Sequence, residues 1–355
     1  MSGRTADVLI RSVGRIGRIT LNRPNVLNAL TREMVASIGE ALAEWAHDKN
    51  VIAVLIDGAG ERGLCAGGDI RWLYEVGRAK RFDEAASFFA NEYQMNAKIA
   101  AFPKPHIALM DGIVMGGGIG ISSHGSRRIV TDRAVLSMPE VSIGMIPDAG
   151  GTFLLSRAPD ELGIHAALTA MRLSAADAIV LRLADKVISA ASVPSLFEEI
   201  ERAEDIRSID HALEISAVAP GSSWLEGARS WIARCYRGSD MEAITAALEA
   251  SPNPGAYAAL RAIRKQSPTA LKITLRALRE ARADPVLRSC LCREFRLAMR
   301  CLQSHDFLEG VRAKIIDKDD HPVWQPACLE KVSAAMVGRY FSPFGDPRFE
   351  LIYFD

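Results

Sequence analysis

The chain has 355 residues, of which 49% are hydrophobic, and it carries 43 Lys and Arg residues against 43 Asp and Glu residues. This length and apolar content allow a large buried core and two domains, which argues against wholesale disorder. The formal net charge of zero argues against a nucleic-acid binder, because such proteins usually show a basic excess.

The first part of the chain alternates between predicted strands and helices. Two aliphatic runs, Val8–Arg11 and Arg18–Leu21, are joined through glycines and predict a β-hairpin. Thr31 is a typical N-cap for a helix whose apolar residues recur at helical spacing. A short buried strand is predicted at Val51–Ile56.

The same alternation continues to about residue 190. Helices are predicted at Ile70–Arg78 and Asp83–Ala100, and from about Gly150 to Arg182. Further short strands are predicted at His106–Leu109, Arg128–Thr131, Val135–Ser137 and Lys186–Ile188.

The second half has a different composition. Of the 27 glycines, 20 precede residue 191, and the rest of the chain is rich in Ala, Leu, Arg and Glu, which favour helix. Ser267-Pro268 begins one predicted helix, and another runs from Pro285 to about Leu302. We therefore predict a domain over residues 1–190 and an α-helical region over residues 191–355.

Glycines carry the first functional signal. Gly116-Gly117-Gly118 opens an apolar helix, and Gly67-Gly68 lies just past a strand. A helix N-terminus presents unpaired N–H groups, and glycine lets a ligand approach the backbone closely. Gly68 and Gly117 are therefore candidate donors to a developing oxyanion. The sequence leaves open the alternative that these glycines only permit tight turns and close packing.

Two carboxylates follow prolines in the next segment. Glu140 follows Pro139, and Asp148 follows Pro147. Such a pair can serve as base or nucleophile and as proton donor. Taken singly, either acid could instead be a helix cap or a solvated loop residue. Glu92, within a predicted helix, would on its own be interpreted as a surface acid.

Several other chemistries lack their motifs. Position 121 is Ile, so the glycine run does not match a dinucleotide-binding GxGxxG pattern, and no glycine run is followed by the GK[ST] of a phosphate loop. A nucleophile elbow, GxSxG, is missing around Ser122. The seven histidines show no metal-binding spacing, and the six cysteines form no CxxC pair, so we expect no metal and reduced thiols.

The N-terminus and the apolar windows bear on location. Residues 1–10 show neither the apolar run of a signal peptide nor an Arg- and Ser-rich leader. The most apolar long window, Ile107–Ile121, is interrupted by Asp111 and rich in glycine. We therefore expect a cytoplasmic protein that neither spans nor binds a membrane.

Four motifs together resemble the enoyl-CoA hydratase/isomerase (crotonase) superfamily. They are Leu21–Pro24, Cys65–Ile70, Met115–Gly118 and Met138–Glu140. Their order and spacing are highly specific and cover about residues 8–190. The resemblance implies an α/β fold, a crotonase-like spiral of repeated ββα units, with an α-helical C-terminal region packing on it.

One position separates two activities within the superfamily. Enoyl-CoA hydratases use two glutamates, one at the position of Gly120 and one at that of Glu140. Because Gly120 has no side chain and Asp148 adds a carboxylate elsewhere, the resemblance implies the branch that hydrolyses short 3-hydroxyacyl-CoA thioesters. The similarity extends through the C-terminal half, at Ser267–Thr274 and His305–Ala313.

The resemblance also implies residue roles. Backbone N–H groups of Gly68 and Gly117 would form the oxyanion hole, and Glu140 would attack the carbonyl or activate water. Asp148 would hold the substrate hydroxyl or handle a proton, and Glu92 would contact the substrate.

The implied ligand is an acyl-CoA, with CoA as part of the substrate and no separate cofactor. Ala66 and Gly68 would contact the CoA part. Members of the superfamily often form trimers or paired trimers, which makes a homo-oligomer the expected assembly, although the helical C-terminal half could alter it. An enoyl-CoA hydratase or isomerase and a non-catalytic scaffold component of a larger assembly are the alternatives.

Overall fold

The structure, a computed structural model, describes residues 6–346. The strands are β1 (Val8–Val13), β2 (Ile16–Leu21), β3 (Ala53–Gly58), β4 (His106–Met110), β5 (Ile113–Met115), β6 (Arg127–Thr131), β7 (Val135–Ser137), β8 (Lys186–Ile188) and β9 (Ala217–Val218). The helices up to residue 190 are α1 (Arg32–His47), α2 (Ile70–Arg78), α3 (Phe82–Ala100), α4 (Gly117–Ser123), α5 (Gly151–Ser156), α6 (Leu162–Thr169) and α7 (Ala175–Val180). The later helices are α8 (Val193–Arg202), α9 (Ile206–Ile215), α10 (Trp224–Cys235), α11 (Met241–Glu249), α12 (Pro254–Ile263), α13 (Pro268–Ala283), α14 (Leu287–Leu302), α15 (His305–Val311) and α16 (Ala334–Phe341).

The chain divides into two compact units, each made of three segments. In the described residues, unit 1 comprises 6–68, 94–136 and 172–223, and unit 2 comprises 69–93, 137–171 and 224–346. This division differs from a single boundary near residue 190, because segments 69–93 and 137–171 group with the helices that follow residue 223.

Unit 1 is built on a seven-stranded sheet with the order β1-β2-β3-β4-β6-β8-β9. The five inner strands run parallel, and β1 and β9 pair antiparallel at the two edges. Alternate strand residues such as Leu55, Ile107 and Ile129 form a buried aliphatic core with Leu196 of α8 and Ile209 of α9. β5 and β7 form a separate two-stranded sheet.

Most predicted strands are confirmed. The hairpin forms with Ile10 opposite Ile19, and the predicted strand at 51–56 lies two residues later, at Ala53–Gly58. β5 was not predicted, because its three residues directly precede the glycine run and are too few to show an alternation of apolar and polar side chains. β9 was also missed, since two residues give no pattern.

Most predicted helices are confirmed as well. Thr31 caps α1 through a hydrogen bond from the Met34 N–H, and α2 has its predicted bounds. The span from Gly150 to Arg182 contains three short helices, α5 to α7, interrupted by turns at Asp160 and Ala170, which both have positive φ. The region after residue 190 is largely helical, as predicted. Within residues 6–346, no helix is long and apolar enough to cross a membrane.

Aromatic rings form the centre of unit 2. Trp72 of α2 contacts Phe88 of α3, and the row continues through Phe89 and Tyr93 to Phe295 of α14, with ring centroids 5.6–6.4 Å apart. Edge-to-face and tilted pairs of this kind are favourable geometries for buried aromatics. The row therefore joins α2, α3 and α14 into one core.

Helix α15 contacts the backbone of the 3-10 turn Glu140–Ile143. A Cβ at Gly310 would lie 2.6 Å from Ile143 Cα, and a Cβ at Gly144 would lie 2.4 Å from the carbonyl carbon of Asp306. Gly144 also has a φ of +70°, a conformation that favours glycine. Only glycine fits at either position, so α15 supports the turn that carries Glu140.

We expect Gly310→Ala to destabilise the protein by about 1–3 kcal/mol, because the new methyl group overpacks against Ile143. Gly338→Ala is the matched control, since Gly338 also lies in a helix, α16, but in open space. Better helix propensity should there raise the free energy of unfolding by up to about 1 kcal/mol. Urea unfolding measures both, and equal effects would contradict the close approach.

Candidate active site

Two glycine-containing segments lie side by side within unit 1. The Met115 N–H donates to the Cys65 carbonyl at 2.9 Å, and the Cys65 N–H donates to the Ile113 carbonyl at 3.2 Å. A Cβ at Gly67, which has a φ of +99°, would lie 3.2 Å from the Gly117 nitrogen. The backbone of residues 65–67 is therefore held directly beside the start of α4.

The helix start at Gly117 has the predicted geometry. Gly117 is the buried first residue of α4, so its N–H has no acceptor within the helix. A Cβ at Gly118 would lie 2.4 Å from the Cys65 carbonyl oxygen, so Gly118 serves close packing. The sequence left open whether these glycines serve packing or binding, and for Gly118 packing is sufficient. The donor roles of Gly68, which is half-buried, and Gly117 stay predictions.

Ala66 belongs to the same loop. Its N–H donates to the Leu27 carbonyl at 2.9 Å, and its side chain is half-buried. Because the N–H is engaged, a hydrogen bond between the Ala66 backbone and CoA would need the Ala66 carbonyl oxygen as its acceptor.

Glu140 begins a short 3-10 turn in unit 2. Pro139 precedes it, and the turn ends at Gly144 in the left-handed conformation. The Glu140 side chain is buried, with 6% of its surface exposed, and its Oε2 atom has no hydrogen-bond partner among the described residues. Glu140 is therefore not a solvated loop acid.

Asp148 lies in the same unit and is engaged by a tyrosine. It is 8% exposed, and the Tyr93 hydroxyl donates to its Oδ2 at 2.6 Å. The N-cap of α5 is Gly150, so Asp148 does not cap that helix. Its backbone carbonyl accepts from the Gly151 N–H at 2.7 Å, which closes the turn before the helix.

Glu92 precedes Tyr93 on α3. It is only 3% exposed, and its Oε1 has no hydrogen-bond partner in the described part of the chain. The interpretation of Glu92 as a surface acid is thus wrong, because this part of α3 lies inside unit 2. Its contact with substrate stays a prediction.

A fourth carboxyl, Glu294 of α14, was not predicted. It is fully buried and accepts hydrogen bonds from the Gly150 N–H at 2.7 Å, from the Thr152 N–H at 2.9 Å and from the Thr152 hydroxyl. These N–H groups lie at the start of α5, where a helix has unpaired donors. Glu294 therefore caps the helix that follows Asp148.

Burial governs the ionisation of this acid cluster, defined as Glu92, Glu140, Asp148 and Glu294. Loss of water raises the pKa of Glu92 and of Glu140 well above the ordinary range, and the nearby Asp148 raises both further. Burial raises the pKa of Asp148 to about 6, against the lowering effect of the Tyr93 hydrogen bond.

The other two members respond to the same forces. Burial raises the pKa of Glu294 to about 8, although its three donors act in the opposite direction. Burial also raises the pKa of Tyr93 well above its usual range, so its hydroxyl stays a donor. Near neutral pH the cluster therefore contains both protonated and ionised carboxyls, which suits proton transfer.

The sequence analysis missed Glu294 and Tyr93, and the sequence contains a weak signal for the first of them. Glu294 follows Leu291 by three residues and precedes Ala298 by four, so it occupies a core position of an amphipathic helix. Tyr93 follows Glu92 directly and has no motif of its own. In residues 6–346, no group of three or more His, Cys, Asp or Glu side chains is arranged to hold a metal ion.

Comparison with known proteins gives the family. A family model described as enoyl-CoA hydratase/isomerase matches residues 16–341. A 3-hydroxyisobutyryl-CoA hydrolase, mitochondrial, of Gallus gallus is 38% identical over 349 residues, 96% of this chain and 90% of that protein. The protein of that name from Homo sapiens is 38% identical over 346 residues, 96% of this chain and 89% of that protein.

Two solved structures are similar over nearly the whole chain. One is a carnitinyl-CoA dehydratase from Mycobacterium thermoresistibile, with 45% identity, a TM-score of 0.93, and 98% of this chain and 99% of that chain covered. The other is an enoyl-CoA hydratase from Rhodobacter sphaeroides, with 41% identity, a TM-score of 0.91, and 98% and 100% covered.

The raised pKa of Asp148 predicts a pH-dependent stability. A folded-state pKa of about 6 lies above the ordinary 3.8, so the stabilising contribution is complete at low pH and is lost as pH rises through about 6. Two pKa units correspond to roughly 3 kcal/mol. Asp148→Asn should therefore flatten the decline in the free energy of unfolding between about pH 4 and about pH 6.

Urea unfolding at a series of pH values measures this dependence. Asp284→Asn, which changes an exposed acid of the same unit, serves as the control and should keep the wild-type slope. Equal slopes for wild type and Asp148→Asn would contradict the prediction.

Proposed function

The chain belongs to the enoyl-CoA hydratase/isomerase family, and on that basis we propose that it hydrolyses (S)-3-hydroxyisobutyryl-CoA to 3-hydroxyisobutyrate and CoA. Relatives named 3-hydroxyisobutyryl-CoA hydrolase align with about 96% of the chain at 38% identity, which supports the proposal. 3-Hydroxypropionyl-CoA is a second substrate in this proposal.

The observation that carries the proposal is the set of carboxyls. Gly120 is buried in α4 and has no side chain, so the position of the first hydratase glutamate offers no acid or base. Asp148 is instead a buried carboxyl whose charge raises the pKa of Glu140. One of the two hydratase glutamates is therefore present, as Glu140, and the second carboxyl comes from Asp148 at a different position. This arrangement favours hydrolysis over addition of water to a double bond.

In the proposed reaction, the Gly68 and Gly117 N–H groups stabilise the oxyanion that forms on the thioester oxygen. Glu140 acts on the carbonyl carbon in one of two ways. As a nucleophile, its carboxylate attacks, the C–S bond breaks, the CoA thiolate takes up a proton, and water cleaves the mixed anhydride. As a base, it removes a proton from a water molecule that attacks the same carbon; the C–S bond then breaks, the CoA thiolate takes up the proton, and the free acid is left.

The remaining acids would recognise the acyl group. We assign Asp148 and Glu92 to the substrate hydroxyl, because both are buried and Glu92 Oε1 lacks a partner among the described residues. A buried polar atom without a partner costs free energy, and a bound hydroxyl would satisfy it.

The proposal includes no separate cofactor, since CoA enters as part of the substrate, with Ala66 and Gly68 at its CoA part. The reaction would be a step of valine breakdown, and the enzyme would act as a homo-oligomer. We retain the cytoplasm as its location, although the hydrolases compared above are named mitochondrial.

The second candidate is an enzyme that adds or removes water at an acyl-CoA. The two solved structures named as a dehydratase and a hydratase are 45% and 41% identical to this chain, which favours it as the alternative. An isomerase and a non-catalytic scaffold are weaker alternatives, because a scaffold would be free to lose the buried acids.

Release of free thiol from synthetic 3-hydroxyisobutyryl-CoA tests the proposal, with crotonyl-CoA hydration measured in parallel. We expect wild type to release CoA and Glu140→Gln to lose at least about a thousandfold in rate, because Gln can neither attack nor accept a proton. Circular dichroism checks the fold of the variant.

Asp177→Asn is the matched control, because Asp177 is a buried acid that caps α7 in unit 1 and has no proposed role in the reaction. It should keep the wild-type rate within about threefold, allowing for a modest loss of stability. Hydration of crotonyl-CoA without CoA release would overturn the proposal in favour of a hydratase.

A further inference from the structure

Two sets of contacts hold Asp148, one to its side chain and one to the backbone that follows it. Tyr93 donates its hydroxyl hydrogen to Asp148 Oδ2 at 2.6 Å, and both side chains are buried. A short O–H···O⁻ hydrogen bond to a charged acceptor is among the stronger hydrogen bonds in proteins. The contact therefore fixes the orientation of the carboxyl as well as its distance from α3.

Glu294 holds the backbone that follows Asp148. Its Oε2 accepts from Gly150, two residues after Asp148, and its Oε1 accepts from Thr152, four residues after it. Gly150 has a φ of +82° and the preceding Ala149 a φ of +52°, so the turn is a tight one that needs support. Three donors converge on one buried carboxyl, which leaves the turn little freedom.

We infer that Tyr93 and Glu294 are positioning residues for Asp148. Tyr93 acts through its hydrogen bond to the Asp148 carboxyl, and Glu294 acts through the backbone of the turn that follows Asp148. The expected effect on catalysis rests on the proposed function. The contacts themselves are seen in the structure and do not depend on which reaction the protein catalyses. A reacting carboxyl must be held within about 0.5 Å of its productive position. Displacement by about 1 Å can cost on the order of a hundredfold in rate.

Titratable neighbours complete the surroundings of Asp148. Glu92, Tyr93 and Cys301 each have their pKa raised by the charge of Asp148, and the pKa values of Glu140 and Glu294 are raised by it as well. Glu294, with its pKa raised to about 8, is uncharged in the pH range where Asp148 ionises, so it acts on Asp148 through hydrogen bonds and not through charge.

Two conservative variants separate the two contacts. Tyr93→Phe keeps the ring in the aromatic row and removes only the hydroxyl. Glu294→Gln keeps the shape but sets an amide NH₂ against a buried backbone N–H of Gly150 or Thr152. We expect each variant to lower kcat for CoA release by about 10- to 100-fold.

The ionisation of Asp148 provides a readout that does not depend on activity. Carboxyl ¹³C signals of Asp-labelled protein, assigned with Asp148→Asn, report its pKa. Tyr93→Phe should raise the pKa, because the hydrogen bond that favours the charged form is lost. Glu294→Gln should leave it near the wild-type value, because Glu294, with a pKa of about 8, is already uncharged where Asp148 titrates. General loosening of the fold would instead lower the raised pKa of Asp148 in both variants, because it would admit water to the buried carboxyl.

Asp177→Asn is again the matched control, since Asp177 is a buried acid that caps a helix as Glu294 does. It should leave the pKa of Asp148 unchanged and kcat within about threefold of wild type. If Glu294→Gln does not fold, Thr152→Val replaces it by removing only the hydroxyl donor, with a smaller expected loss of rate.

The outcomes separate the two proposals. Loss of rate in both variants, with a raised pKa of Asp148 in Tyr93→Phe and a pKa that is not lowered in Glu294→Gln, supports the positioning roles. A lowered pKa of Asp148 in both variants, a wild-type rate in either, or a rate loss in Asp177→Asn as large as in the two variants would overturn them. A wild type that releases no CoA overturns the proposed function alone, since the pKa of Asp148 in the two variants remains a separate readout.

Discussion

The acid cluster of unit 2 depends on one constraint, the burial of four carboxyls in a single core. An isolated buried carboxylate is costly by several kcal/mol, so each acid must gain hydrogen bonds or hold its proton. Asp148 takes the first course with the Tyr93 hydroxyl, whereas Glu294 combines three donors with a pKa raised to about 8. For Glu92 and Glu140, burial and Asp148 raise the pKa, so each binds a proton more strongly than an exposed acid does.

Helices after residue 190 support the two turns that carry the candidate catalytic carboxyls Glu140 and Asp148. Glu294 of α14 holds the turn after Asp148, and Gly310 of α15 lies against the turn that carries Glu140. The first contact needs a buried acceptor for the Gly150 N–H, and the second needs glycine at position 310. A separate C-terminal domain would not supply such contacts. The chain is therefore not divided into its two units at a single boundary near residue 190.

Periodicity and caps predicted most elements, while the acid cluster required tertiary information. Thr31 and the apolar spacing after it fixed α1, because both signals are local. Glu140, Asp148 and Glu92 were identified through the resemblance. The helix pattern by itself would place Glu92 at the surface, since it does not show what covers each face. Glu294 is 146 residues from Asp148, and no local rule links a helix-core acid to a distant turn.

The same constraint bears on product release in the proposed hydrolysis. The thioester is uncharged at its acyl end, whereas the acid product carries a carboxylate. Beside Asp148, which is ionised above about pH 6, a further buried negative charge meets repulsion. In the proposed reaction the acyl group would therefore bind more favourably as a thioester than as a free acid, and the charge of Asp148, which together with burial raises the pKa of Glu140, would also favour release of the product.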